Sequence, residues 1–392
     1  MSAEGTAGSG EKGDCIVVAQ PSSERAIAVE TKSVELLGRG IDAVVAGTLD
    51  LLESEPVAIR ITDQGALDYV IQARVEAAVL GLFPETRGVV EATVDRPASG
   101  RDRPRRSRLY APGNHPRLLA GIDVHGADCV VLDLEDSVPP AEKQSARILV
   151  KQLLASVPFP DDVWVRINSL DTCGLDDLGE ILSGRPHGIC LPKTESADDV
   201  ARLAEALDSR ESELGLAGGS TWIMPIIETA KGVLHAEEIL GAHERIVIVA
   251  FGAEDFTRDI GALRTQDSLL FARSQIVAAA AVAGVQASDT VFADLADSDG
   301  LREEAELARE LGFDGKGAIN PRQLGPIHRA FSPTDEEIER AQAIVDAARE
   351  AEAQGRGAIA LEGKMIDKPV LARAQRLIRF AERLTRGGER SA

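Results

Sequence analysis

The sequence predicts an α/β protein: a (β/α)8 TIM barrel with a C-terminal helical extension, preceded by a small α+β domain. Three observations carry this. From Ser107 to about Ile319, eight short apolar, β-rich runs alternate with helical stretches, and roughly 250 residues is the length such a barrel occupies. No GxGxxG loop follows the first run, which weighs against the alternative of a doubly wound open sheet. The chain of 392 residues is 44% hydrophobic, 27% charged and only 3% aromatic, a composition that packs Ala, Val, Leu and Ile into a large core.

Taken in order, residues 1–14 are Gly, Ser and charge without periodicity and read as a disordered tail. Residues 15–85 read as the small domain. Alternation from Ile16 and over Ala26 to Val29 marks strands, and an amphipathic helix follows from about Thr31, with Val34, Leu37, Ile41, Val45 and Leu49 on one face. Val57 to Ile61 alternates again, Asp63-Gln64-Gly65 supplies a turn, and Leu67 to Leu80 reads as a second helix. Residues 86–104 are rich in Pro, Gly and Arg and read as a linker whose arginines are solvated. The barrel occupies 105–330, its strands being LYA at 109–111, CVVLDL at 129–134, VWVRI at 163–167, GICL at 188–191, WIMPII at 222–227, RIVIVAF at 245–251, TVFA at 290–293 and GAI at 317–319. The extension, 331–392, opens with the capped helix of Ser332-Pro-Thr-Asp-Glu-Glu.

Composition also excludes. With 64 acidic against 43 basic residues the formal net charge is −21, which makes nucleic acid a poor partner. No apolar stretch is long enough for a membrane span and the start lacks the pattern of a secretion signal, so the expected location is the cytoplasm. Cys15, Cys129, Cys173 and Cys190 form no CxxC pair, which argues against structural zinc or a disulfide framework.

Reactive groups of such a barrel come from the C-terminal ends of its strands. Those positions carry Asp133, Glu135 and Asp136, then Arg166 and Asn168, Lys193, Glu228, and Glu254 with Asp255. Glu228 and Asp255 are the few hard oxygens that a divalent ion with open positions requires, Mg²⁺ being the simplest occupant. On spacing alone it is equally consistent that Glu228 pairs with Lys231 and that Asp255 caps the helix beginning near Phe256. Arg166 suits bidentate pairing with a substrate carboxylate, or else a barrel-mouth bridge to Asp133 or Glu135.

The motifs RRSRLYAPGN at 105–114, VLDLEDSV at 131–138, VRIN at 165–168, LPK at 191–193, IIET at 226–229, FGAEDF at 251–256, LGFDGKGAINPRQ at 311–323 and GKMIDKP at 363–369 resemble the citrate lyase beta chain, within the HpcH/HpaI aldolase/citrate lyase superfamily. The small domain is similar to the citrate lyase gamma chain, an acyl carrier, most clearly in ITDQGALDYVIQARVEAAVL at 61–80. This resemblance implies a gamma–beta fusion that cleaves a (3S)-citryl thioester to oxaloacetate and an acetyl thioester. It implies Mg²⁺ on Glu228 and Asp255, substrate on Arg166, Glu228 and Lys193, and a base at Asp367 offered near the barrel mouth, in one version by a neighbouring subunit. Arg106 and Arg166 would stabilise the developing enolate, with Glu135 and Asp136 orienting these cations.

Carriers of this type hold a phosphoribosyl-dephospho-CoA arm on a serine in a segment like GTLESSD. The stretch VAQPSSE is taken here as its counterpart, which puts the arm on Ser22 or the adjacent Ser23. The resemblance further implies an acyl-exchanging citrate lyase alpha-type subunit as partner and a homo-oligomer, trimer or hexamer. In one place the chain departs from the pattern: Thr229-Ala230-Lys231-Gly232 stands where the beta chain has Ser-Pro-Leu-Gly, and a Lys so close could change which acyl group fits. The alternatives are a stand-alone lyase or thioesterase for malyl-, citramalyl- or methylmalyl-CoA, and a catalytically silent scaffold that presents a carrier.

Overall fold

The computed structural model describes residues 4–31, 34–86, 94, 96–353, 359–361 and 364–388. The first unit runs β1 (Gly5–Ala7), β2 (Cys15–Pro21), β3 (Ala26–Glu30), α1 (Val34–Leu52), β4 (Val57–Asp63) and α2 (Asp68–Leu82). Its sheet has the order β1-β2-β4-β3, with β3 parallel to β4 and the other pairs antiparallel. Alternation in β2 turns Cys15, Val17 and Ala19 inward, against Ile41, Val45 and Leu49 of α1 and Ile71, Val75 and Val79 of α2.

Strand β1 corrects the expectation of a disordered tail over 1–14. Gly5 pairs with Ala19, and Gly5 and Ala7 are buried. A Cβ on Gly5 would lie 1.9 Å from the Ala78 carbonyl oxygen, so glycine is what lets this strand approach α2. The glycine content that reads as disorder is here a requirement of packing.

The barrel then runs β5 (Ser107–Pro112), α3 (Pro116–Leu119), β6 (Cys129–Asp133), α4 (Lys143–Ser156), β7 (Asp162–Arg166), α5 (Gly174–Ile181), β8 (Gly188–Leu191) and α6 (Ala197–Glu213). It continues through β9 (Trp222–Ile227), α7 (Ala230–Leu234), α8 (Ala236–Gly241), β10 (Ile248–Phe251), α9 (Ala253–Ile260), α10 (Gln266–Ala283), β11 (Gln286–Asp289), α11 (Ser298–Leu311), β12 (Gly315–Ala318) and α12 (Leu324–Phe331). The eight strands β5 to β12 close into a parallel barrel, with β12 paired to β5. One strand differs from the sequence reading: β11 is Gln286–Asp289, and the apolar run at 290–293 follows it. Its polar residues are held from outside, Asp289 being clasped by Arg273 of α10 (2.9 Å) and Lys316 of β12 (2.8 Å), so hydropathy pointed past the strand.

The extension consists of α13 (Asp335–Ala353), β13 (Ile359–Leu361), β14 (Lys364–Ile366) and α14 (Lys368–Gly388). Arg376 and Arg383 of α14 reach Asp314 and Asp102, on the side of the barrel where the strands begin.

Within the expected linker, residues 87–93 and 95 lie outside the described residues. The remainder is packed rather than solvated. Arg96 donates to the carbonyls of Leu154, Val157, Gly184 and Arg185, and the Trp222 indole donates to the Ser99 carbonyl at 2.9 Å. Arg105 is fully buried against Asp162 (2.8 Å), stacks over Trp164, and donates to Ser99. Arginines that look like a charged tether therefore plug the lower end of the barrel.

Helix α2 has apolar residues all round because both faces are covered. Ile71, Val75 and Val79 face their own sheet, whereas Tyr69, Val70 and Ala73 join the barrel core alongside Leu149, Leu153 and other residues of α4. Polar groups sealed in this contact are matched: Lys151 of α4 pairs with Glu76 and Glu180, and Gln152 donates to Glu76 at 2.8 Å. The small domain is thus seated on the barrel. A buried pair that loses one member leaves an uncompensated charge, costing about 3 kcal/mol or more. Arg105→Met, which strands Asp162, is expected to lower the urea midpoint of the barrel transition accordingly; an unchanged midpoint would refute the plug.

Candidate active site

The C-terminal ends of the barrel strands surround a cavity of about 470 Å³, lined by Arg108, Tyr110, Asp133, Arg166, Glu228, Glu254 and Asp255 among others. The carboxylates and Arg166 come from strand ends or the residues just beyond them, as the parallel register requires, whereas Arg108 and Tyr110 rise from within β5.

Glu228 follows β9 and is 2% exposed. One carboxylate oxygen accepts the Lys193 backbone N–H at 2.8 Å, a donor presented by the left-handed backbone of Lys193 (φ 49°). The other side packs on Gly252, where a Cβ would lie 2.5 Å from Oε2, so only glycine admits the carboxylate here. Burial first, then the nearby carboxylates of Glu135 and Asp255, push the Glu228 carboxyl up to about 8; the Lys193 N–H and Arg166 offset this only in part. Glu228 does not pair with Lys231, whose ammonium lies 3.2 Å from Glu195.

Asp255 sits in the first turn of α9, rather than before it, and bonds Arg258 at 2.6 Å. Among the described residues no three His, Cys, Asp or Glu side chains form a ready-made cage. A hard divalent ion nonetheless fits, because Glu228 and Asp255 supply two oxygens to one cavity, Glu228 has no ion-pair partner among the described residues, and substrate or water completes such sites.

Arg166 lines the cavity, but its fork is engaged. It donates to both oxygens of Asp133 (2.7 and 2.6 Å), has Glu135 at 3.0 Å, and lies over the Tyr110 ring. The barrel-mouth bridge is therefore realised, and bidentate capture of a substrate carboxylate by Arg166 is not available in this arrangement. Lys193 pairs with Glu135, and Asp136 is exposed at the rim with the Lys193 ammonium 3.7 Å away. Glu135 thus contacts Arg166 and Lys193 but not Arg106, and Asp136 reaches only Lys193.

One assignment is corrected by the placement of side chains. Arg106 lies near the lower end of the barrel, bonded to Asp128 (2.8 Å) and Ser332, and does not line the cavity. Two residues on, Arg108 points inward: it donates to Ser288 Oγ (2.7 Å), the Tyr110 hydroxyl (3.0 Å) and the Asp289 carbonyl (2.9 Å). No carboxylate bridges Arg108 among the described residues, so a buried cation faces the cavity beside the carboxylates. Strand periodicity could have found it, because Arg106 stands ahead of β5 and a step of two residues leads to Arg108 within the strand. Asp367 is exposed and caps α14 through the Val370 N–H (3.0 Å); it does not reach the cavity of its own chain. The thiol of Cys190, in the barrel interior, is pushed up to about 12 by burial and is no nucleophile.

In the small domain, Ser22 follows β2, donates its N–H to the Pro56 carbonyl (3.2 Å), and accepts the Glu24 N–H at Oγ (3.3 Å). Ser23 is exposed. A different serine has a carboxylate partner: Ser9 Oγ donates to Asp14 Oδ2 at 2.9 Å, as does its N–H at 3.0 Å. Gly5-Thr6-Ala7-Gly8-Ser9 repeats the Gly-Thr-x-x-Ser spacing of the carrier segment, a signal the tail reading of residues 1–14 hid.

Comparison with known proteins places this geometry. Residues 106–321 match the family model described as HpcH/HpaI aldolase/citrate lyase, and residues 2–82 match an acyl-carrier model described as malonate decarboxylase delta subunit. The citrate lyase subunit beta of Leuconostoc mesenteroides subsp. cremoris is 41% identical over 284 residues, covering 71% of this chain and 94% of that one. The mitochondrial citramalyl-CoA lyase of Homo sapiens is 35% identical over 297 residues, covering 71% and 86%. Among solved structures, CitE from Mycobacterium tuberculosis in complex with magnesium, acetoacetate and coenzyme A has a TM-score of 0.59 at 33% identity, covering 72% of this chain and all (100%) of that one. The citrate lyase beta subunit from M. tuberculosis complexed with oxaloacetate and magnesium has a TM-score of 0.51 at 32% identity, covering 59% and 99%. The chain belongs to the HpcH/HpaI aldolase/citrate lyase family, as a carbon–carbon lyase barrel preceded by an acyl-carrier-like domain.

Proposed function

We propose that this chain cleaves a (3S)-citryl thioester to oxaloacetate and an acetyl thioester, as a gamma–beta fusion of citrate lyase. The observation that carries the reading is the pairing, in one cavity, of the buried Glu228 and half-buried Asp255 carboxylates with the buried Arg108, which no carboxylate bridges among the described residues. Relatives named citrate lyase subunit beta, and neighbours solved with magnesium and oxaloacetate, support the same chemistry. A carrier-like domain in the same chain favours an arm-borne substrate over a freely diffusing one.

In the cleavage the substrate hydroxyl loses its proton, its oxygen becomes the carbonyl of oxaloacetate, and the C–C bonding pair moves into the thioester enolate, which then takes up a proton. Mg²⁺ held by Glu228 and Asp255 would act as a Lewis acid on substrate oxygens. Arg108 presents charge and N–H donors where the enolate oxygen or a substrate carboxylate develops. Arg166 and Lys193 keep Asp133 and Glu135 paired, so that Glu228 is the carboxylate left to bind. The base stays assigned to Asp367, which a neighbouring copy has to offer, in keeping with a trimer or hexamer. Forming the citryl thioester from citrate calls for an acyl-exchanging alpha-type partner.

A second reading, a CoA-ester lyase acting on citramalyl- or malyl-CoA, is favoured by the citramalyl-CoA lyase relatives. The altered 229–232 loop lends it no help. Lys231 turns to Glu195, and Thr229 caps α7 through the Gly232 N–H.

For the phosphoribosyl-dephospho-CoA arm, the site moves from Ser22 to Ser9. Asp14 is placed to accept the Ser9 proton as the oxygen bonds the phosphoryl end of an activated arm donor and the donor's phosphate leaving group departs.

Three outcomes are expected. Oxaloacetate release from citryl-CoA is Mg²⁺-dependent, abolished by EDTA, and faster than cleavage of malyl- or citramalyl-CoA; the opposite preference would select the second reading. Peptide mapping of the modified protein finds the arm on the peptide bearing Ser9, lost in Ser9→Ala and kept in Ser22→Ala; the reverse pattern would restore Ser22. Glu228→Gln abolishes cleavage yet raises the melting temperature of the metal-free protein at pH 8. The sign follows from the raised carboxyl: its contribution to stability is full below the ordinary 4.5 and is lost as pH rises through about 8. A melting temperature unchanged at pH 8 would show that Glu228 is not strained by burial.

A further inference from the structure

Arg74 ties the carrier-like domain to one particular place on the barrel. The residue is 5% exposed, and its guanidinium bonds Asp14 twice, Nε to Oδ1 at 2.9 Å and Nη2 to Oδ2 at 3.0 Å, while Nη1 donates to Ser145 Oγ at 2.6 Å. Ser145 lies in the first turn of α4, the helix that leaves the C-terminal end of β6. That end belongs to the cavity. Asp133, Asp136 and Ser137 line it, and Lys143 at the start of α4 donates to the carbonyls of Leu134 and Glu135, each at 2.7 Å.

Ser9 hangs on the same Asp14. Three hydrogen bonds in series, Ser9 to Asp14, Asp14 to Arg74 and Arg74 to Ser145, connect the proposed arm-bearing hydroxyl to the catalytic rim. Attaching the arm consumes only the hydroxyl hydrogen; the Ser9 N–H still bonds Asp14 at 3.0 Å and keeps the turn in place. The seat is closed by the Glu76–Lys151 pair and the apolar contact of α2 on α4.

We propose that the carrier domain works docked: it presents Ser9 at the rim of its own barrel, so that the arm delivers its acyl group in cis while the domain keeps its seat. Arg74 is the positioning residue. The inference rests on the reading that Ser9 carries the arm and that Glu228 serves cleavage.

The test pairs two full-length chains, Ser9→Ala and Glu228→Gln, each with its own tag, co-purified as mixed assemblies and supplied with citrate and the acyl-exchanging partner. Cis delivery predicts no recovery of arm-dependent cleavage beyond a few per cent of wild type. Recovery to a substantial fraction means that carriers serve neighbouring barrels, and overturns the proposal. A second variant leaves the barrel sequence untouched: Glu76→Lys sets two ammonium groups together and unseats the domain, read as a larger radius of gyration in solution scattering. Its cleavage of free citryl-CoA is expected to stay within about twofold of wild type, while arm-dependent turnover falls at least about tenfold as the effective concentration of the arm drops. Unchanged arm-dependent turnover in the unseated variant, or an equal loss of both activities, would also overturn it. Failure of the underlying reading looks different: wild type would then cleave no citryl-CoA, or carry no arm on Ser9.

Discussion

The site is organised around one electrostatic constraint: a carboxylate buried at the mouth of the barrel with other carboxylates for company. Glu228 receives a single backbone N–H and faces Glu135 and Asp255, so its ionised form is costly until a cation arrives. The surroundings are arranged to leave it in that state. Arg166 and Lys193 are drawn to Asp133 and Glu135, Arg258 to Asp255, and Gly252 makes room that a side chain would fill. Arg108, which has no carboxylate partner among the described residues, is held by neutral partners and faces the cavity. Arg108 and the Glu228 carboxyl thus share one cavity without pairing with each other, which is the condition under which an incoming ion and an anionic substrate gain most.

Elsewhere among the described residues, several buried charges come in matched sets. Arg105 with Asp162, Arg273 and Lys316 with Asp289 and Glu304, and Lys151 with Glu76 and Glu180 are such sets, and each joins separate pieces of the fold: linker to barrel, outer helix to strand, carrier-like domain to α4. Such pairs add little net stability, but losing one partner is expensive, so they select one arrangement over others. That is the physical basis for a carrier-like domain with a defined seat.

Much of this was legible in the sequence. Alternation of short apolar runs with helices marked the barrel, and the strands GICL and WIMPII have the expected limits, because buried parallel strands are continuous apolar runs. The family motifs marked Glu228, Asp255 and Arg166 as cavity residues. What was missed has a common cause, polar or glycine residues whose partners lie far away in sequence. Strand β11 carries Asp289, whose bonds come from α10 and β12; β1 carries Gly5, needed by α2 more than seventy residues on. Arg106 stands just ahead of β5 and Arg108 within it, and that step of two residues decides which of them reaches the cavity. The two-faced apolarity of α2 was in view throughout, and it is the signal that the small domain is docked rather than tethered.

The most direct test is Mg²⁺ titration of the purified protein near pH 7 by calorimetry in two buffers of different ionisation enthalpy. With the Glu228 carboxyl held up to about 8, binding has to displace its proton, and the account predicts release of close to one proton per ion. Binding with no proton release would contradict the claim that a buried, protonated Glu228 is what the metal claims.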